Sequence, residues 1–107
     1  MITTYPFEAV SCQHKGSRVS AGHATQADVY ISVGEEIVAR QNLLALERKA
    51  TLVLEADTQL SSGPADLALY IKRGMFITQW VLMDGDTVIG ANYPNELPAD
   101  RQPKPAP

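Results

Sequence analysis

From Ala27 to Val33 apolar and polar positions alternate, with Val29, Ile31 and Val33 on one side and Tyr30 on the other. That is the pattern of a half-buried strand. The stretch before it is polar and alternates loosely. Tyr5, Phe7, Ala9 and Val10 suit a strand, and Cys12 to Val19 suit a reversal at Lys15-Gly16 that sets Cys12 opposite Val19. After Gly34 the period changes. Ala39, Leu43, Leu46 and Ala50 recur at steps of four, three and four, with Glu35 and Glu36 at the start and Arg48-Lys49 at the end. Carboxylates in a first turn and cations in a last turn complement a helix dipole, so residues 35–50 are predicted as a helix. Two continuations follow. The helix either runs on to Leu60, or stops near Ala50 and leaves Thr51–Asp57 as a strand with Leu52, Leu54 and Ala56 on one face. The apolar stripe breaks at Asp57 and Thr-Leu-Val-Leu favours strands, which tips the reading toward the second.

Ser62-Gly63-Pro64 supplies a capping residue and an early proline, Lys72-Arg73 a basic last turn, and Gly74 a left-handed stop. Residues 64–73 therefore read as a short helix with Leu67, Ala68 and Ile71 inward. The strongest local signal is Asp84-Gly85 between the apolar runs 76–83 and 86–93, a β-hairpin closed by a two-residue turn. That register pairs Trp80 with Ile89 and Phe76 with Tyr93 on one face, and Val81 with Val88 and Ile77 with Asn92 on the other. Both faces carry apolar side chains.

Composition alters this outline mainly at the end of the chain. Five of the seven prolines follow Tyr93, so residues 94–107 are expected to be an unstructured Pro-rich tail and residues 1–93 a single domain. The charges of the tail cancel, which assigns the net charge of −3 to the folded part. A mildly acidic domain argues against broad non-specific binding to nucleic acid or to an anionic membrane. The longest apolar run is five residues, Leu67 to Ile71, against the roughly 20 that a spanning helix needs. With one Cys and no basic, apolar leader before Pro6, the chain is expected to be made and kept in a reducing cytoplasm.

Candidate chemistry is sparse. Cys12, His14 and His23 gather the soft and imidazole groups, but their spacing matches no metal or protease pattern. Asp84 and Asp86, with Asp57 or Glu55, could form a carboxylate pair, yet turn chemistry alone selects Asp beside a hairpin glycine. The acid-free stretch Ser11–Gln26 could hold an anion, but it contains no glycine-rich phosphate loop. The tail lacks Pro-x-x-Pro. No catalytic residue, metal or cofactor is assigned.

These elements add up to a small α+β domain: an antiparallel or mixed sheet including the hairpin 76–93, covered on one face by helices over about 35–50 and 64–73. The expected function is a non-enzymatic protein-binding module, whether homodimer, inhibitor or adaptor, acting through the hairpin with Tyr30, Trp80 and Tyr93 as aromatic anchors. The alternative is a winged-helix-like nucleic-acid-binding regulator using Lys15, Arg18, Arg48, Lys49, Lys72 and Arg73. Against it stand the apolar content of residues 64–73 and the acidic tip Asp84-Gly85-Asp86.

Overall fold

A computed structural model of the chain describes residues 4–43, 51–74 and 78–92. Eight strands follow one another: β1 (Phe7–His14), β2 (Ser17–His23), β3 (Asp28–Val33), β4 (Glu36–Asn42), β5 (Thr51–Leu60), β6 (Gly63–Arg73), β7 (Thr78–Asp84) and β8 (Thr87–Ala91). They form two four-stranded antiparallel meanders, β1-β2-β3-β4 and β5-β6-β7-β8. Among the described residues there is no helix. The described part of the chain is therefore all-β, and the α+β expectation is corrected.

Both predicted helices fail for the same physical reason. Apolar residues four apart, such as Leu67 and Ile71, fit a period of two as well as a helix, and a small residue such as Ala68 between them is accepted on either face. In β6, Ala65, Leu67, Leu69 and Ile71 are buried, while Asp66, Ala68, Tyr70 and Lys72 alternate with them on the outer face. Ser62-Gly63 is hairpin chemistry and not a helix cap: Leu60 pairs with Gly63 across the loop Ser61-Ser62, and Gly63 has φ +148°. Pro64 is tolerated because β6 there extends beyond β7, whose pairing begins only at Leu67. In the other segment, Val33 pairs with Glu36 around Gly34-Glu35, with Gly34 at φ +60°. Glycine at the first central position is a type II′ hairpin signal, so Glu35 completes the turn and Glu36 begins β4. Residues 44–50, the rest of that predicted helix, lie outside the described residues.

Other readings agree with the structure. Cys12 faces Val19 and the chain reverses at Lys15-Gly16, both with positive φ, as a type I′ turn requires. The 27–33 strand is β3, and Thr51–Asp57 lies within β5, although a bulge between Leu52 and Leu54 turns Leu52 outward while Leu54 and Ala56 face the core. The last hairpin exists with a different register. Asp84 pairs with Thr87, so Gly85-Asp86 is the loop, and a bulge at Leu82/Met83 sets Leu82 opposite Gly90 and Val81 opposite Ala91. Trp80 meets Asn92 and not Ile89: its N–H donates to Asn92 Oδ1 at 2.7 Å. The partners proposed through Phe76, Ile77 and Tyr93, and the tail 94–107, lie outside the described residues.

The sheets pack face to face. Val19, Ala21, Val29 and Ile31 of the first meet Leu67, Leu69, Ile71, Trp80 and Leu82 of the second in one continuous core. β1 lies against β8 and β4 against β5, so the edges of the two meanders meet at both sides. Gly90 makes the β1–β8 approach possible, since a Cβ there would lie 3.1 Å from Cys12 Cβ.

Candidate functional site

Strict alternation gives each sheet an outer face, and the two differ. On the first sheet that face is polar. Ser11 is opposite Ser20 and Ser20 opposite Ser32, while Glu8 and Tyr30 lie beside Gly22. Arg18 Nη2 donates to Glu8 at 2.6 Å, and Arg40 and Asn42 both donate to the Asp28 carboxylate. Those two donors hold the Asp28 carboxyl below the usual range. Tyr30, only 7% exposed, sits low among these side chains, and burial raises its phenol pKa.

The outer face of the second sheet is apolar at its centre. Val81 and Met83 of β7 form a cluster apart from the main core, with Ala68 and Tyr70 of β6 and Ala91 of β8 around them. Val88, opposite Met83, is 39% exposed, and Leu52, opposite Tyr70, is 37% exposed. Charge is split between the two ends of this surface. Glu55, Asp57 and Asp66 lie toward one end, with Asp57 opposite Asp66, and Lys72 lies opposite Gln79 toward the other. Asp66 is raised above the ordinary carboxyl value, first by its hydrogen bond with Asp57 and then by the neighbouring negative charges.

A third assembly joins the sheets where the tight turns converge. Asp84 Oδ2 lies 2.8 Å from His14 Nε2 and 3.2 Å from Lys15 Nζ, and Asp84 Oδ1 accepts from the Asp66 N–H at 2.9 Å. Lys15 Nζ also donates to Pro64 O, and Ser62 N–H to Lys15 O. Burial alone would raise the Asp84 pKa. The bonds from His14, Asp66 and Lys15 outweigh it and hold that carboxyl low. Its partners are all parts of the scaffold, so this cluster is a structural tie.

The anticipated site residues are thus distributed rather than assembled. Trp80, 3% exposed, points into the core and is not presented as an anchor, and Tyr30 lies on the opposite sheet. Tyr93 lies outside the described residues. Of the cations in the nucleic-acid reading, Lys15 is bound to Asp84 and Pro64, Arg18 to Glu8, and Lys72 and Arg73 end β6. Arg48 and Lys49 lie outside the described residues. The recognition helix of that reading is a strand. Cys12, His14 and His23 do not converge either: among the described residues no group of three His, Cys, Asp or Glu could hold a metal ion. Burial pushes the Cys12 thiol up, away from the reactive thiolate.

Half-buried Tyr70 was missed because a helical reading of residues 64–73 scatters β6 around an axis, and exposed Leu52 and Val88 because bulges at Leu52/Leu54 and Leu82/Met83 shift the pairing. The available signal in β6 was the recurrence of the large aliphatics Leu67, Leu69 and Ile71 at every second position. The fold is a β-sandwich of two meanders, each with one face outward. Comparison with family models, with curated proteins and with solved structures finds no match. Among the described residues no helix is long and apolar enough to cross a membrane.

Proposed function

We propose that this is a non-enzymatic protein-binding module acting through the outer face of the second sheet, and that its first partner is another copy of itself. The observation that carries the reading is the apolar cluster Ala68, Tyr70, Val81, Met83 and Ala91 on that face, flanked by the exposed Leu52 and Val88. Apolar side chains grouped on an outer face, rimmed by charge, are typical of an interaction site. The charges favour self-pairing. Asp66 and Lys72 lie three residues on either side of Leu69 along β6. A two-fold axis through that point would set the acidic end of one copy over the basic end of the other, as an isologous interface requires. The lone, half-buried Cys12 thiol suits residence in a reducing compartment such as the cytoplasm.

Light scattering coupled to size-exclusion chromatography tests this. The wild type is expected to run as a dimer that weakens on dilution and with added salt, and Leu52→Asp with Val88→Asp is expected to run as a monomer of unchanged fold by circular dichroism. A wild-type protein that stays monomeric at the highest concentration reached, or a double variant that still dimerises, removes the reading of self-association through this face.

A further inference from the structure

At the end of the sandwich away from the tight turns, His23 joins the two sheets. Its ring meets Trp80 of β7 edge-on, with centroids 5.1 Å apart and planes at 79°. Tyr5, at the approach to β1, also meets this imidazole, at 6.3 Å and 84°. His23 Nδ1 is buried and has no hydrogen-bond partner. A bare ring nitrogen in that position is tolerable as a lone pair. Once charged, the ring would sit partly desolvated between two aromatic rings, with only a backbone hydrogen bond at Asp28 to offset that cost.

Among the described residues the neighbouring elements supply no compensating anion. Tyr5, just before β1, offers a phenol, and Glu8 of β1 is paired to Arg18 on the polar outer face. On β3, the Asp28 carboxylate is taken by Arg40 and Asn42. β7 presents Trp80, β8 is followed by the neutral Asn92, and the charge at the end of β6 on the side of Ile71 is the cation Arg73. Protonation therefore favours a position of the ring nearer water, and the ring is what connects Tyr5 to Trp80.

We infer that His23 is an acid-sensitive latch: the neutral imidazole holds the start of β1 against Trp80, and its protonation releases that end of the sandwich. Burial depresses the His23 pKa from its ordinary 6.5, outweighing the opposing backbone hydrogen bond at Asp28. The sign follows directly. The open form takes up a proton near 6.5 and the closed form only at lower pH, so the opening constant stays flat above 6.5. Below it, that constant rises up to about tenfold per pH unit until the depressed value is reached. Opening exposes the edge of Trp80 and leaves Phe7, already half exposed, without its neighbour.

Trp80 is the only tryptophan of the chain, which makes it a direct probe. Its emission and its quenching by acrylamide would be followed from pH 7.5 to 4.5, together with hydrogen exchange of the amides of residues 7–10, corrected for intrinsic exchange. The expected result is a red shift, greater quencher access and up to about tenfold more exchange per pH unit below 6.5, with all three absent in His23→Gln. A transition that persists in His23→Gln overturns the latch. So does a loss of intensity without red shift or faster exchange, which would mean protonation in place. If His23→Gln does not fold, the imidazole resonances of wild-type His23 are titrated by NMR. Titration in step with the Trp80 transition supports the latch, and titration that leaves Trp80 and the amides unchanged overturns it.

Discussion

Gly22 shows how much one residue can decide. A Cβ at that position would lie 1.9 Å from the Phe7 carbonyl oxygen, because the β1 bulge between Glu8 and Val10 presses the neighbouring backbone onto it. Backbone cannot yield as a side-chain end does, so Gly22→Ala is expected to lose about 3 kcal/mol or more, read as a lower midpoint in urea. Asp66 makes the opposite prediction. Its folded pKa is raised by Asp57, so the unfolded state releases the proton first, and stability is lost as pH rises from 3.8 through the folded value. Asp66→Asn should therefore raise the melting temperature at pH 7, and the gain should vanish below pH 3.8. A thermal melt of both proteins at the two pH values checks it. Neither effect is legible in the sequence, where Gly22 stands in a polar stretch and Asp57 and Asp66 stand nine positions apart.

At the level of elements, the hairpin turns were the most legible feature and the strands between them the least. Lys15-Gly16 and Gly85 announce their turns, since few residues other than glycine accept positive φ. Gly34 carried the same information, and Gly63 just after Ser61-Ser62 did too, but the residues after each also fit a helix start. The turns also do more than reverse the chain. Asp84 at the end of β7 is held by His14 and Lys15 at the end of β1, which couples the two sheets where their turns meet. Because the Asp84 pKa is held low, its contribution is present above 3.8 and is lost as pH falls through the folded value. Asp84→Asn is expected to cost about 1.5–3 kcal/mol at neutral pH and nothing in strong acid, measured by urea unfolding at both.

The whole molecule is held by one core between two sheets. Leu82, fully buried opposite Leu69, is a central contributor. Leu82→Ala should lose about 2–5 kcal/mol, whereas Val88→Asp on the exposed face should change stability by no more than about 0.5 kcal/mol while altering association. Chemical denaturation of the two variants separates core from surface. The sequence by itself determined the local conformations that depend on single residues. These are the turns at Lys15-Gly16 and beside Gly85, the strand at 28–33 and the lack of any run able to cross a membrane as a helix. It also limited the cast of chemical groups to one thiol and two imidazoles. Only the tertiary structure decided that residues 36–42 and 64–73 are strands, because a short apolar pattern takes its period from the surface it packs against. The same packing turned Trp80 inward, left Leu52 and Val88 outside, and brought His23 between Tyr5 and Trp80. Those residues are 18 and 57 positions from His23 in sequence. Their contact exists only because two sheets close face to face, and no local preference encodes that closure.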